Sequence, residues 1–355
     1  MKIGIIIGSL GFGGAERVSS QLANWWAKNG YEISFYTTKQ KPSNEYFIDQ
    51  RINRYTCYST NKLKLIRELH KTIIKDKPDI VLIMDTPMCV YAVPALFFTR
   101  IPFVVSERSA PNNARIKKTT RYLSRFFIRF ADGIIFQTKQ AKSCYKKSIQ
   151  KKSIIIANPL DVSKLPDEHN GERTKKVVAV GRLIKEKNYP LLIYSFQEFS
   201  KSYPEFTLEI YGDGSEKEEL DQMIHILKLD TKIKLMGNHS DVLNLINDSS
   251  VYVLSSSLEG MPNALIEAMA LGIPCVSTNC PSGGPAELIQ NGINGILVPV
   301  DDKTAMVEAM LKIVDNPIFA DHLSASSKLI RNILNIDIIA NQWLLYFKKI
   351  TGTSL

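Results

Sequence analysis

The chain has 355 residues, a length that suits two domains better than one. Its five cysteines are odd in number and form no Cys-x-x-Cys pair, which indicates reduced thiols in a cytosolic compartment. The uncharged run over residues 86–99 is interrupted by Pro94 and is too short to span a bilayer. We therefore expect a soluble or peripheral protein in the cytoplasm.

Charge is distributed unevenly along the chain. Residues 1–160 contain 27 Lys and Arg against 10 Asp and Glu, a balance of +17. Residues 161–355 contain 18 against 25, a balance of −7, which leaves the net charge of +10. The first half is therefore predicted to meet a polyanion or an anionic surface.

The first predicted strand, Ile3–Gly8, leads into a glycine-rich loop and an amphipathic helix. Gly13 and Gly14 would let this loop approach a phosphate closely. The dinucleotide motif Gly-x-Gly-x-x-Gly is not met, because Glu16 stands where the third glycine belongs. This argues against an NAD-dependent oxidoreductase, and a tight strand-to-helix turn is the alternative to a binding loop.

Strand and helix patterns alternate through the rest of the first half. The predicted strands are Ile33–Tyr36, Asp79–Met84, Phe103–Ser106, Gly133–Thr138 and Ile154–Ala157. The predicted helices are Leu63–Lys75, a buried Tyr91–Phe98 and Lys139–Lys147. Such alternation predicts a parallel sheet. Glu107 and Arg108 follow one strand, where they would line a site or pair with each other.

A basic helix is predicted between residues 115 and 129. Arg121, Arg125 and Arg129 recur every fourth residue, which places them on one helical face. The cations are interleaved with aromatic residues, and the whole basic set is Arg115, Lys117, Lys118, Arg121, Arg125 and Arg129. Anionic lipids attract such clusters at about 1 kcal/mol per basic residue. A solvated helix face is the alternative; no nucleic-acid motif is present.

Residues 161–174 are polar and are predicted to link two domains. The second domain has predicted strands at Val177–Val180, Phe206–Tyr211, Lys232–Met236, Val251–Leu254 and Cys275–Ser277. Its predicted helices are Pro190–Ser200, Ala264–Leu271 and Asp302–Val314, and glycines near residue 295 suggest a hairpin-like excursion.

Two loops of this domain follow strands and carry charged side chains. After Val177–Val180, Arg182 and Lys187 suit a diphosphate, although a pair of surface cations would look the same. After Val251–Leu254, Glu259 and Glu267 bracket a helix start whose free N–H groups favour an anion. Glu267 lies in an apolar helix, so it either meets a ligand or points to solvent.

These two loops resemble the signature of family 4 glycosyltransferases. The matching segments are Glu-x₇-Glu from Glu259 to Glu267 and Gly-Arg-Leu-x-x-x-Lys-Asn from Gly181 to Asn188. The resemblance implies that Glu259 contacts the donor sugar, Glu267 holds the nucleotide ribose, and Arg182 with Lys187 binds the diphosphate. Catalysis would then depend on Glu259, Arg182 and Lys187.

The resemblance also implies the wider binding site. Donor contacts are expected at Gly13, Gly14, Gly181, Arg182, Lys187, Gly212, Asn238, Glu259, Gly260, Met261, Pro262, Asn263, Ala264, Leu265 and Glu267. Acceptor contacts are expected at Glu16, Glu107 and Arg108, although relatives often carry a His near Arg108. No Asp-x-Asp occurs, so no metal and no cofactor other than the nucleotide-sugar co-substrate is expected.

The fold implied is two Rossmann-like α/β domains facing a cleft, the B-type glycosyltransferase plan. The predicted domains are 1–160 and 175–335, with a linker at 161–174 and a C-terminal helix in 336–355 that packs back on the first domain. The reaction implied is sugar transfer with retention, from a UDP-sugar in preference to a GDP-sugar, to a polyprenyl-diphosphate-linked glycan such as O-antigen or capsule. No nucleophile is assigned.

Location and partners follow from the same reasoning. The basic residues Lys117, Lys118, Arg121, Arg125 and Arg129 would hold the enzyme on the anionic inner face of the cell membrane, and nucleic acid is not expected as a partner. Two alternatives stay open at this point. One is a nucleotide-sugar epimerase with the same two-domain plan, and the other is a basic membrane-binding or nucleic-acid-binding module without enzymatic activity.

Overall fold

The computed structural model describes residues 1–11, 13–108 and 116–353. The chain divides into two compact units, here called the first unit (Met1–Pro159 with Leu334–Leu355) and the second unit (Leu160–Ile333). The segment 161–174, which the sequence suggested as a linker, lies inside the second unit. There Val162–Lys164 forms a 3₁₀ turn and Thr174 already pairs with Ser249 in the sheet.

The first unit contains a seven-stranded parallel sheet. Its strands are β1 Lys2–Ile7, β2 Glu32–Thr37, β3 Asn53–Thr56, β4 Ile80–Met84, β5 Phe103–Ser106, β6 Gly133–Phe136 and β7 Ser153–Ile155. They lie in the order β3-β2-β1-β4-β5-β6-β7. The central strands are buried along their length, as expected when helices cover both faces. The predicted strands are present, whereas β3 was not predicted.

The described part of the first unit contains six α-helices before residue 160. They are α1 Gly14–Lys28, α2 Lys62–Asp76, α3 Cys89–Leu96, α4 Lys118–Phe127, α5 Lys139–Ser143 and α6 Lys147–Lys151. The prediction of a buried helix over 91–98 is wrong at its end, because α3 stops at Leu96 and Phe98 is exposed. The predicted helix 139–147 is likewise wrong, since two short helices separated by a turn occupy that stretch.

The second unit contains a six-stranded parallel sheet. Its strands are β8 Thr174–Val180, β9 Thr207–Tyr211, β10 Ile233–Gly237, β11 Ser249–Leu254, β12 Cys275–Thr278 and β13 Ile296–Val298, in the order β10-β9-β8-β11-β12-β13. The predicted hairpin near residue 295 is wrong, because β13 pairs in parallel with β12. The strand order reverses between β8 and β11, and ligands of such sheets bind at the carboxyl ends of the strands at this point.

Eight helices surround the second sheet. They are α7 Tyr189–Ser202, α8 Lys217–Ile226, α9 Val242–Ile246, α10 Asn263–Ala270, α11 Gly284–Leu288, α12 Lys303–Asp315, α13 Pro317–Ser327 and α14 Ile330–Ile333. The apolar side chains of β8, β9, β11, α7 and α12 form one buried core. This core fixes the strand ends from which the candidate site is built.

The last helix, α15 Ile336–Thr351, returns to the first unit, which confirms the predicted packing of the C-terminal helix. Trp26 of α1 donates its indole N–H to the carbonyl of Ala340 at 3.2 Å, and its ring meets Trp343 edge-on. The Tyr346 hydroxyl donates to the carbonyl of Lys152 at 2.7 Å. The helix therefore closes one face of the first sheet, and the predicted fold class of two Rossmann-like domains is confirmed.

Candidate functional site

Two loops at the strand-order reversal of the second unit are joined by hydrogen bonds. One loop follows β8 and the other follows β11, its neighbour in the sheet. The Ser257 N–H donates to the carbonyl of Glu186 at 2.8 Å, and the Ser255 hydroxyl donates to the carbonyl of Lys187 at 2.8 Å. The two loops that resemble family signatures are thus parts of one local structure.

The centre of this structure is an ion pair between Lys187 and Glu259. The Lys187 Nζ lies 2.5 Å from the Glu259 Oε1, and the Ser256 hydroxyl donates to the same oxygen at 2.7 Å. The Lys187 side chain is 17% exposed and the Glu259 side chain 12% exposed, so the pair is partly shielded from water. Sequence reasoning assigned Lys187 and Glu259 to different parts of a ligand and did not foresee that they contact each other.

Arg182 belongs to the same loop as Lys187 and is exposed. Within the ranges that the structure describes, no carboxylate comes within 4.0 Å of its guanidinium. The neighbouring Gly181 carbonyl accepts a hydrogen bond from the buried Tyr189 hydroxyl at 3.0 Å. Burial and the nearby Glu259 carboxylate raise the pKa of Tyr189, so this hydroxyl stays protonated and remains a donor.

Glycines let further loops approach the same edge of the sheet. Gly212 has a φ of +140°, and a Cβ atom there would lie 2.0 Å from the Gly181 carbonyl oxygen. The Gly212 N–H donates to the Gly237 carbonyl at 2.8 Å, which brings the end of β10 to this edge. Asn238 follows directly and is exposed. The predicted donor residues Gly181, Gly212 and Asn238 are therefore brought close together.

Helix α10 starts at the end of the Glu259 loop. Pro262 is the residue before the helix, and its side chain makes no capping hydrogen bond. Met261, Pro262 and Leu265 are buried, whereas Gly260, Asn263 and Ala264 are partly accessible. Glu267, with 6% exposure, is buried. The alternative that Glu267 points to solvent is therefore wrong, and its predicted contact with ribose stays a prediction.

In the first unit, the predicted loop residues lie at the start of α1. This helix begins at Gly14, and the Glu16 carboxylate folds back against Gly13: a Cβ atom at Gly13 would lie 2.2 Å from the Glu16 Oε2. A carboxylate at this position interacts favourably with the helix dipole. The predicted contacts of Gly13 and Gly14 with donor phosphates, and of Glu16 with the acceptor, stay predictions.

Glu107 and Arg108 belong to a buried polar cluster at the carboxyl ends of β4 to β7. Glu107 accepts hydrogen bonds from the Thr86 hydroxyl, at 2.6 Å, and from the Tyr145 hydroxyl, while Arg108 donates to the Asn158 side chain. Sequence reasoning missed the other members of the cluster, which are Asp85, Thr86, Gln137, Tyr145 and Asn158. Four of them, Asp85, Thr86, Gln137 and Asn158, follow the ends of neighbouring strands. The predicted strand ends were therefore the signal in the sequence that could have indicated them.

Two features set this cluster apart from ordinary core. Arg108 is 9% exposed, and its Nε and Nη1 have no hydrogen-bond partner in the described part of the chain. Burial lowers the pKa of Arg108 to about 10, which still leaves the guanidinium charged at neutral pH. Asp85 has a φ of +78°, a strained conformation for a residue with a side chain. Unsatisfied donors and backbone strain are both common at functional sites.

The predicted membrane-binding cations lie on or beside α4. Lys117, Lys118, Arg125 and Arg129 are exposed, whereas Arg121 is half-buried and donates to the carbonyl of Ile116. The predicted stripe on one helical face is therefore incomplete at Arg121. Arg115, which the prediction included, lies outside the described residues.

Among the described residues, no group of three or more His, Cys, Asp or Glu side chains is placed to hold a metal ion. In residues 1–11, 13–108 and 116–353, no helix has both the length and the apolar character needed to cross a bilayer.

Comparisons with known proteins cover nearly the whole chain. Residues 163–330 match the profile of glycosyl transferases group 1, and residues 12–164 match that of glycosyltransferase family 4. An uncharacterized glycosyltransferase of Haemophilus influenzae is 30% identical over 96% of this chain and 98% of its own. A Campylobacter jejuni relative is 25% identical over 97% of each chain; its name is GalNAc-α-(1→4)-GalNAc-α-(1→3)-diNAcBac-PP-undecaprenol α-1,4-N-acetyl-D-galactosaminyltransferase.

The fold also matches solved structures. HepE from Anabaena, solved in complex with UDP and glucose, aligns over 100% of both chains with a TM-score of 0.85, at 18% sequence identity. At that identity the likeness concerns the fold, whereas the family assignment rests on the sequence matches. The chain belongs to the family 4 glycosyltransferases and is a glycosyltransferase of the two-domain GT-B fold.

Proposed function

We propose that this enzyme transfers a hexose or an N-acetylhexosamine from a nucleotide sugar to a polyprenyl-diphosphate-linked glycan, with retention of anomeric configuration. The observation that carries the proposal is the Lys187–Glu259 pair at the strand-order reversal of the second unit, with the exposed Arg182 in the same loop as Lys187. A UDP-sugar is favoured over a GDP-sugar, and the UDP-bound HepE structure supports this choice. The name of the Campylobacter relative supports the lipid-linked acceptor and a role in surface-glycan assembly.

The donor diphosphate leaves with its negative charge, which the site must stabilise as the glycosidic bond breaks. Arg182 and Lys187 supply two cations, and the N-terminus of α10 adds the positive end of a helix dipole. These groups are held in place by the hydrogen bonds between the two loops, so little reorganisation is needed during the reaction. The leaving diphosphate is thereby stabilised more strongly than the intact donor.

Glu259 and Glu267 have separate roles in this proposal. Glu259 accepts hydrogen bonds from hydroxyl groups of the donor sugar, and its pairing with Lys187 couples sugar binding to the diphosphate. Glu267, the fifth residue of α10, holds the ribose of the nucleotide, and Gly212 and Asn238 lie beside the base. No protein nucleophile is proposed.

The acceptor is proposed to contact the buried polar cluster of the first unit. The unsatisfied Nε and Nη1 of Arg108 can donate to hydroxyl oxygens. Burial lowers the pKa of Arg108, and the nearby carboxylates of Asp85 and Glu107 partly oppose that effect. One cation with two carboxylates suits a neutral sugar better than an anion. Glu16 and Arg108 are thus proposed as acceptor contacts, with Glu107 held in place by Thr86 and Tyr145.

A lipid-linked acceptor requires the enzyme to work at a membrane surface. We propose that it is a peripheral protein on the cytoplasmic face of the cell membrane. The exposed Lys117, Lys118, Arg125 and Arg129 support this location, because anionic lipid head groups attract such cations.

Removing the Arg182 guanidinium tests the diphosphate site. Arg182→Ala is expected to raise the Kd for UDP at least about tenfold, or about 1.4 kcal/mol, because a charge-assisted contact with the diphosphate is lost. Calorimetric titration with UDP measures the change. Lys185→Ala is the matched control, since Lys185 is an exposed cation of the same loop. Equal Kd values for Arg182→Ala and the parent would contradict the assignment.

Metal independence is a separate proposal, motivated by the lack of Asp-x-Asp in the sequence. The cationic side chains of Arg182 and Lys187 would take the place of a divalent ion on the diphosphate. Turnover is therefore expected to stay the same in excess EDTA. Activity that disappears on chelation and returns with Mg²⁺ or Mn²⁺ would refute this mechanism.

A further inference from the structure

Five large apolar side chains are exposed together on the first unit. Phe98 is 99% exposed and Tyr122 is 76% exposed, both unusual values for aromatic residues. We refer to this group as the aromatic patch; it consists of Phe98, Tyr122, Leu123, Phe126 and Phe130. Single exposed apolar residues need no explanation, but an adjacent group of this kind marks an interaction surface.

Ring contacts join three members of the patch, Phe98, Phe126 and Phe130, through Phe97. Phe97, which is half-buried, has its ring centroid 6.4 Å from that of Phe98 and 5.4 Å from that of Phe130. Phe130 in turn lies 5.7 Å from Phe126. Tyr122 precedes Phe126 by four residues, so it extends the same face of α4. The loop after α3 and the helix α4 therefore contribute to one surface.

The backbone of the loop after α3 holds Phe98 outward. Phe98 has a φ of +68° and Arg100 a φ of +57°, two left-handed conformations within three residues. Each costs about 1–2 kcal/mol for a residue other than glycine. An exposed phenylalanine in a strained loop does not stabilise the fold of the isolated chain. This indicates that the ring contacts a partner.

Most exposed charges on the stretch that forms the patch are positive, and Asp132, two residues after Phe130, is the exposed acidic residue at its end. Between Asp85 and Asp132 the sequence contains a single acidic residue, Glu107, and that residue is buried. The exposed charged side chains described on this stretch are cations, namely Arg100, Lys117, Lys118, Arg125 and Arg129. Arg129 lies over the Phe126 ring at 5.4 Å. Aromatic side chains edged by Arg and Lys are typical of surfaces that enter the interface of an anionic bilayer.

From these observations we propose that the aromatic patch inserts into the interface of an anionic lipid bilayer, with Phe98 as the principal anchor. This inference rests on the proposed function, because a lipid-linked acceptor would bring the enzyme to a membrane. It goes further by requiring an apolar insertion in addition to charge attraction. Single-stranded nucleic acid is favoured less, since Phe130 meets Phe97 at 89° and Phe126 at 71°, an arrangement that offers no stack of parallel faces to bases.

The test is sedimentation of the full chain with vesicles of phosphatidylcholine, with or without phosphatidylglycerol. Phe98→Asn is expected to weaken binding to the anionic vesicles at least about tenfold, because the burial of a phenylalanine side chain is lost. Asparagine tolerates the left-handed backbone, so the loop is preserved. Phe47→Asn is the matched control, since Phe47 is 75% exposed in the same unit but lies outside the patch.

A second pair of variants tests the charges. Lys118→Ser with Arg129→Ser should weaken binding about tenfold or more, at about 1 kcal/mol for each cation. Lys71→Ser with Lys75→Ser removes the same charge from exposed positions of α2 and should have a much smaller effect. Binding should also fall as salt rises.

Three outcomes would overturn the inference: equal effects of Phe98→Asn and Phe47→Asn, equal binding to neutral and anionic vesicles, or displacement of vesicles by single-stranded RNA. UDP affinity, measured on every variant, keeps this test separate from the proposed function. If the variants bind UDP like the parent but vesicle binding does not change, the patch fails and the donor site stands. If the parent itself does not bind UDP, the proposed function fails whatever the vesicles show.

Discussion

Glu259→Gln is expected to lower sugar-transfer turnover about 100-fold or more while UDP affinity stays the same or increases. The loss arises because hydrogen bonds from sugar hydroxyls to a carboxylate contribute about 1.5–3 kcal/mol each, and every 1.4 kcal/mol is a factor of ten. The UDP result follows from the 2.5 Å pairing of Glu259 with Lys187. Without the carboxylate, Lys187 is free to bind the diphosphate, and a negative charge beside that diphosphate is gone.

Two further variants sharpen this prediction. Lys187→Met should weaken UDP binding more than the double variant Lys187→Met/Glu259→Gln, because the single change leaves the Glu259 carboxylate without its cation in a partly shielded position. Glu267→Gln should weaken UDP binding about tenfold, since its proposed partner is the ribose. Calorimetry with UDP and initial rates with a UDP-sugar measure both effects. A loss of UDP affinity in Glu259→Gln but not in Glu267→Gln would mean that the two roles are reversed.

The local part of this site could be predicted from sequence because its signals are local. A buried strand, a polar loop and a run of helix formers predicted the surroundings of Glu259, and β11 and α10 lie there. The Lys187–Glu259 contact could not be predicted in that way. It joins residues 72 positions apart and exists because β8 and β11 are neighbours, which depends on the order of the strands.

Errors in the first unit have equally physical reasons. The short strand β3 has a polar sequence and lies at the edge of the sheet, so it lacks the apolar pattern by which buried strands are found. Phe98 was assigned to a buried helix because apolar residues precede it without interruption. A residue in the left-handed conformation, such as Phe98, does not continue a helix, although the sequence stays apolar at that point. The buried cluster around Arg108 depends on four strand ends meeting at one edge, which no single segment of sequence contains.

Close backbone approaches are a second feature that sequence did not indicate, and Gly284 is the most severe of them. A Cβ atom at this first residue of α11 would lie 1.6 Å from the Gly260 carbonyl oxygen and 3.2 Å from the Met261 Cα. Both neighbours are backbone atoms of the loop that carries Glu259. Because no side chain can rotate away, either α11 or the Glu259 loop must move to admit a methyl group.

Gly284→Ala is therefore expected to lower the thermal unfolding midpoint by about 6–12 °C, since overpacking costs up to about 3 kcal/mol and each kcal/mol shifts the midpoint of a domain of this size by about 2–4 °C. Turnover should fall as well, because a displaced loop misplaces Glu259. Gly292→Ala is the matched control: Gly292 has a φ of +79° but open space around it, so the substitution adds backbone strain of about 1–2 kcal/mol without a clash. If Gly284→Ala melts no lower than Gly292→Ala and keeps full turnover, the contact between α11 and the Glu259 loop does not hold the site together.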